Sequence, residues 1–429
     1  MSGSFQEQAS GGLRASSPGV LPGFLAALLL LAATPALAGS PSYGDLMAEA
    51  RAAMTRGDAA AAGAALDAAQ LLRPYSLHLT RNRIATRVAS GHLDQALALA
   101  TEVAARGLAL DLSGDPYAPL RRHAGYAALE QRFEANMAPR GDGRTAVEIP
   151  DSGLLPEALL RDGEDWLVGS VRTGAVLRTA SPSSPVALLD GGIFDVERRG
   201  DLLIAAVNNQ LAYEGSGEEP PRASVVEIDL ASGEVRRSVS LEGDALFGDI
   251  ELAGDGSVYA SDSITPRIVS LRPGSDRLVE LAADPRFVNL QGLALDEGRG
   301  LLFVADYLAG VFAIDPATGK AQAIANPSGA HLGGIDGLYL HRGDLVGVQN
   351  GVSPQRIVRI RLDGPGTTAL ALQVLQQALP AWNEPTHGDV VGEEFYYLAT
   401  SNWPAYGDDG LLAEDALLAP LRIMSVALD

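Results

Sequence analysis

Six positions in the last two thirds of the sequence carry most of its potential chemistry: Glu157, Gly191, Gly248, Gln291, Asp336 and His387. Each stands just ahead of a short apolar run, and successive members are 34, 57, 43, 45 and 51 residues apart. Two carboxylates, one amide and one imidazole are thus repeated at the same point of a recurring unit. A fold that brings those points to one axis gathers three or four donors there. Oxygen donors of this kind form a hard-cation site, because calcium takes carboxylate and amide oxygens together with water. His387 titrates near neutrality and can serve as a further ligand, a substrate contact or a general base. A carboxylate, either Glu157 or Asp249 next to Gly248, can take a proton from a cation-bound water.

The elements that must position these residues read as short β-strands. Ser257–Ala260, Leu301–Ala305, Leu345–Val348 and Glu394–Leu398 are apolar runs. Each follows a turn of Asp, Gly or Glu, such as Asp162-Gly163, Asp255-Gly256 or Arg342-Gly343. A second apolar stretch precedes each turn, and an outer strand such as Val311–Asp315 follows. Units of about 46 residues with about four strands each, repeated six times, predict a six-bladed β-propeller over residues 145–429. A propeller must close its ring, and Ala146–Ile149 with Leu421–Val426 are the strands to pair in one blade. Asp262 and Asp306 end inner strands and read as turn caps. Trp382, Asn402, Trp403 and Tyr406 flank the last blade, where they can wall a pocket. His78, His92, His123, His331 and His341 form no paired motif and read as surface or cap residues.

The unit motifs resemble the senescence-marker/gluconolactonase-like propellers, relatives of the strictosidine-synthase-like and paraoxonase-like proteins. Gln291-Gly292-Leu293-Ala294-Leu295-Asp296, Leu302–Asp306, Ile335-Asp336-Gly337-Leu338, Gly248-Asp249-Ile250, Ser261-Asp262-Ser263 and Pro385–Gly392 carry the resemblance across residues 150–429. It implies a divalent ion held by Glu157, Gln291 and Asp336, with Gln291 one methylene longer than the family's Asn. It also implies an Asn-Asp pair in the third blade, where Gly248 lacks the amide and Asp249 keeps the carboxylate. Calcium is the first expectation for the ion, with zinc or magnesium as alternatives. The activity implied is metal-dependent hydrolysis of a lactone or ester, with Asp249 and His387 as catalytic residues and a small molecule in the channel. The alternative is a non-catalytic scaffold that binds a ligand or protein.

Ahead of the propeller, residues 39–140 read as a small α-helical domain. Gly57-Asp58 and Gly91-His92 align at a period of 34, which resembles the tetratricopeptide repeat and implies a surface able to hold a protein partner. Residues 1–38 have one Arg, an apolar run from Val20 to Ala33 and Ala36-Leu37-Ala38. That pattern reads as a cleaved secretory signal without a twin arginine, hence a periplasmic or secreted protein with no membrane span after cleavage. One lysine, Lys320, against 31 arginines points to a GC-rich bacterial source.

Composition excludes several classes. A net charge of −21 repels the phosphates of nucleic acids. With no cysteine there is no disulfide framework, thiol nucleophile or cysteine-ligated zinc. The sequence also lacks a Gly-x-Ser-x-Gly elbow and a phosphate-binding Gly-Lys-Ser/Thr loop.

Overall fold

The structure is a computed structural model and describes residues 41–150, 153–210, 212–217, 220–407 and 409–429. The candidate signal segment lies outside these residues. No helix among them is long and apolar enough to cross a membrane.

The apolar runs form six four-stranded antiparallel sheets, the blades of a propeller. Blades one to five each run in sequence order from an inner strand outward. Their inner strands are Pro156–Asp162, Gly192–Arg199, Phe247–Leu252, Leu290–Asp296 and Leu338–His341. The sixth blade is assembled from both ends. Gly388–Val391, Glu394–Leu398 and Leu421–Ala427 are joined by Arg144–Ile149 at the outer edge. Thr145 pairs with Met424, Val147 with Ile423 and Ile149 with Leu421, so the ring closes through the strands expected to close it. The inner hairpins turn tightly because glycine takes a left-handed conformation that other residues avoid, as at Gly163 and Gly392, both at φ 63°.

The strands read as continuous apolar runs because blades pack face to face. Val168 and Leu177 of the first blade bury against Leu398, Leu421 and Ile423 of the sixth. Phe247 and Ile250 of the third share a cluster with Phe194, Ile204 and Val225 of the second. Near the channel, polar side chains latch neighbouring blades. Asp195 Oδ2 accepts the Ile250 amide at 3.1 Å, and Asp249 Oδ2 accepts the Leu293 amide at 2.7 Å. The Tyr339 hydroxyl accepts the Gly388 amide at 2.7 Å, and Asp389 Oδ2 accepts the Arg161 amide at 2.8 Å. An inner strand has one neighbour within its own sheet, so these side chains satisfy amides that would otherwise be orphaned at a seam.

Among the described residues the chain divides into two compact units. One takes in 106–109 and 133–429, including the end of the helix Tyr126–Met137. Gln377 Nε2 donates to the carbonyls of Asn136 at 2.7 Å and Ala138 at 2.9 Å. The other takes in 41–105 and 110–132 and is helical. Tyr43–Thr55 begins with a capping box from Ser42 and Asp45. Ala59–Leu72 and Leu77–Ala89 are capped by Asp58 and Ser76, and Leu93–Ala105 follows. Gly57 and Gly91, 34 residues apart, sit just past the ends of two of these helices at φ 75° and 76°, as glycine at a helix C-terminus does.

Candidate metal centre

The recurring chemistry is placed by β-bulges. A bulge sets two residues of one strand against one of its partner and re-aims a side chain. In the first blade the register slips between Pro156 and Ala158, which singles out Glu157. In the third it slips between Phe247 and Asp249, singling out Gly248. In the fourth it slips between Leu290 and Leu293, around Gln291 and Gly292. Asp336 and Gly337 of the fifth blade both bond to Val348, and the carbonyl of His387 in the sixth accepts the Leu398 amide.

The second blade corrects the sequence alignment. Gly191 lies ahead of its inner strand, and the slip falls between Ile193 and Asp195, so Phe194 is the bulged residue. Asp195 then follows Phe194 as Asp249 follows Gly248. The spacing alignment misplaced this blade by three residues and therefore missed Asp195. The two-residue signal Phe194-Asp195 against Gly248-Asp249 is present in the sequence.

Ligand-capable atoms of Glu157, Asp336 and His387 all lie within 4.8 Å of one another, and all three residues are buried. Glu157 Oε2 accepts the Trp403 indole N–H at 2.9 Å. Asp336 Oδ2 accepts the Asn350 amide at 2.6 Å, and Asn350 Oδ1 takes the Tyr307 hydroxyl at 2.9 Å. Each carboxylate is thus oriented through one oxygen, which leaves the other for a ligand. Gln291 Nε2 donates to Asn289 Oδ1 at 2.6 Å, which fixes the amide with its oxygen as acceptor. That oxygen would lie 3.1 Å from a Cβ added at Gly248. The extra methylene of Gln291 therefore reaches into space that a side chain at position 248 would occupy. Carboxylate oxygens such as those of Glu157 and Asp336 suit calcium, as does an amide oxygen of the kind Gln291 carries.

Asp249 stands elsewhere. Its ligand atoms group with those of Asp195 and His387, again within 4.8 Å. His387 belongs to both groups, with Nδ1 3.7 Å from Asp195 Oδ1. That nitrogen is buried and has no hydrogen-bond partner.

Burial, followed by the charge of Asp336, raises the Glu157 carboxyl to about 7. Burial alone would lower the His387 imidazole, but Asp195, Glu157 and Asp336 outweigh it and hold the ring at about 9. Burial and then Asp195 push Asp249 well above the usual carboxylate range. Glu251, two residues further along the same strand, is raised to about 8, mainly by burial. The channel is thus a low-dielectric wall of carboxylates with one imidazole among them.

The remaining expectations divide. Asp262 accepts the amides of Leu246, Ile264 and Thr265, and Asp306 those of Val288, Asn289, Leu308 and Ala309; both are caps. Trp403 touches Glu157 and lies 6.5 Å from the Phe194 ring. Trp382 instead donates to the Tyr397 hydroxyl at 3.0 Å. His331 and His341 are buried, contrary to their reading as surface or cap residues. Isolated histidines carry no periodic signal of burial. For His331, burial and then Arg356 and Arg106 lower the imidazole to about 3.

Bulge residues converging on the channel of a six-bladed propeller define a protein with a buried acid–histidine axis. No family model matches the sequence, and no curated protein matches it. Solved structures with the same general form include the PQQ-bound aldose sugar dehydrogenase of Streptomyces coelicolor. It is 17% identical over 68% of this chain and 99% of that one, with a TM-score of 0.46. The calcium-binding protein regucalcin of Agrobacterium tumefaciens is 15% identical over 66% of this chain and 95% of its own, also at 0.46. Virginiamycin B lyase of Staphylococcus aureus is 11% identical over 67% and 100%, at 0.43. These similarities say nothing about this chain's chemistry.

Proposed function

We propose that this chain is a divalent-cation-dependent hydrolase of lactones or esters, with calcium held by Glu157, Gln291 and Asp336. The observation that carries the reading is the meeting of Glu157, Asp336 and His387 from the first, fifth and sixth blades, all buried. A bound cation would supply Lewis acidity toward a substrate carbonyl. The chain's own part is positional. Trp403 and Asn350 hold one oxygen of each carboxylate, and Asn289 holds the amide of Gln291. His387 presents an imidazole N–H to the same space, where it stabilises negative charge developing on oxygen. Asp249 groups with His387, where it supports the imidazole. The low dielectric strengthens each of these interactions. In this reading the substrate enters the channel, the protein is exported, and the helical unit of residues 41–105 and 110–132 is a second module.

The test is calcium titration by calorimetry after chelator treatment, native chain against Asp336→Ala, with a parallel screen of lactones and aryl esters. The expected result is stoichiometric calcium binding and chelator-sensitive turnover, both lost in the variant. Turnover that survives Asp336→Ala or chelation refutes the assignment. A native chain that binds no calcium points to the scaffold reading and directs the search to partners of the helical unit.

A further inference from the structure

We propose a second cation site in the channel, formed by Asp195, Asp249 and Nδ1 of His387, that takes a borderline transition metal such as zinc and not calcium. Three observations bring the residues together. The ligand atoms of all three lie within 4.8 Å of one another, from the second, third and sixth blades. Asp195 and Asp249 each give Oδ2 to a backbone amide of the next blade, Ile250 and Leu293. That orients both carboxylates before any ligand arrives. His387, only 2% exposed, points Nδ1 toward Asp195 and leaves that nitrogen without a hydrogen-bond partner.

A buried polar atom with no partner is costly, and native interiors rarely leave one unused. Neither acid pairs with an arginine or lysine among the described residues. Among the described residues, the one ion-pair contact of either acid is the 3.7 Å approach of Asp195 to His387. Two acids this close and removed from water hold either a shared proton or a cation between them. A cation on these three atoms would also use the orphaned nitrogen. The 3.7 Å separation is longer than a hydrogen bond and near the roughly 3.3 Å expected between adjacent ligands of a tetrahedral zinc with bonds near 2 Å.

Donor chemistry separates the two sites. Glu157, Gln291 and Asp336 offer oxygen alone, which suits calcium. Two carboxylates and an imidazole suit zinc, and three protein ligands leave a fourth position open. Ligation at Nδ1 also fixes the proton of His387 on Nε2, which keeps an N–H donor available to the first site. The site itself stands whether or not the chain hydrolyses anything.

The test counts metals on the purified full chain. The protein is stripped with chelator, saturated with calcium, dialysed against zinc and analysed for both elements. The expected result is one zinc per chain bound alongside calcium. Asp195→Asn with Asp249→Asn should lose the zinc and keep the calcium, because asparagine still accepts the Ile250 and Leu293 amides. Glu157→Gln should keep the zinc. If the double variant does not fold, Asp249→Asn alone should weaken zinc at least about tenfold. The proposal fails if the calcium-saturated chain takes up no zinc. It fails equally if zinc survives the double variant, or if calcium displaces zinc one for one, since that would mean a single shared site. Failure of the hydrolase reading looks different: no turnover, with the zinc count unchanged.

Discussion

Two pairs of buried carboxylates share one histidine, yet they are held in different ways. Glu157 and Asp336 are oriented by side chains, the indole of Trp403 and the amide of Asn350. Asp195 and Asp249 are oriented by main-chain amides of the next blade. A side-chain donor can be removed without disturbing the backbone. A main-chain donor belongs to the seam between two blades, and its acceptor cannot be removed without orphaning an amide. The first pair is therefore adjustable in chemistry, whereas the second is part of the ring's construction.

The largest expected effect of a substitution breaks that contrast directly. Asp249→Ala leaves the Leu293 amide unpaired at a buried seam and should destabilise the metal-free chain by about 3 kcal/mol. Asp249→Asn, which keeps an acceptor, should recover most of the loss. Glu157→Gln should cost much less, because it replaces a carboxyl that burial already disfavours as an anion. Urea denaturation of the three variants at one pH measures all of this. Equal losses for Asp249→Ala and Glu157→Gln would erase the distinction between the pairs.

The pH dependence sharpens it. Glu157 is raised from 4.5 to about 7, so its contribution to stability is complete below 4.5 and is lost as pH rises through 7. His387 is raised from 6.5 to about 9, so its contribution is complete below 6.5 and is lost as pH rises through 9. Both signs agree. The metal-free chain should lose on the order of 5 kcal/mol between pH 5 and 9, at about 1.4 kcal/mol per unit of pKa displacement for each group, read as a falling melting temperature in calorimetry with chelator present. Calcium should flatten the slope, since a cation replaces the protons. A melting temperature that climbs with pH over this window would contradict the electrostatics described above.

A smaller effect isolates orientation. Trp403→Phe keeps a ring beside Phe194 and Tyr406 but removes the N–H that holds Glu157 Oε2. Calcium affinity should fall about tenfold while the urea midpoint barely moves. A large loss of stability instead would make Trp403 a packing residue first.

What the sequence revealed depended on periodicity. Blade number, ring closure and the entry positions of five blades were legible because each blade repeats the same apolar pair around a Gly-containing turn. Glu157, Asp336 and His387 could be singled out as a set for the same reason. Asp195 was not, because the second blade's longer hairpin carries Gly191-Gly192 three residues early and drew the alignment onto a glycine without a donor. A bulge inserts one extra residue and shifts the hydrophobic alternation beyond it by one, so register near a bulge is poorly marked by apolar pattern. Trp403 was named only as a pocket wall. Its bond to Glu157 spans 246 positions, and nothing local in the sequence announces a contact of that range.

Gly248 and Gln291 give the finest test, because the sequence presents them as two separate departures and the structure makes them one. Read singly, the glycine lacks a donor and the glutamine is too long for its place. Together they exchange space: Gln291 Oε1 lies 3.1 Å from where a Cβ at position 248 would sit. Ser263 Oγ would lie at 2.9 Å from the same atom, and that hydroxyl is committed to the Leu290 carbonyl. Gly248→Ala should therefore displace the Gln291 amide and weaken calcium about fivefold, near 1 kcal/mol at the 1.4 kcal/mol per decade of the binding scale. Gln291→Asn alone shortens the reach and should weaken it comparably. In the double variant the shorter amide makes room for the new methyl, and the combined loss should be smaller than the sum of the two. A coupling of at least about 0.5 kcal/mol in that direction is the expected signature of contacting residues. Strict additivity would mean that the two substitutions act independently and that Gln291 does not occupy the space left by Gly248.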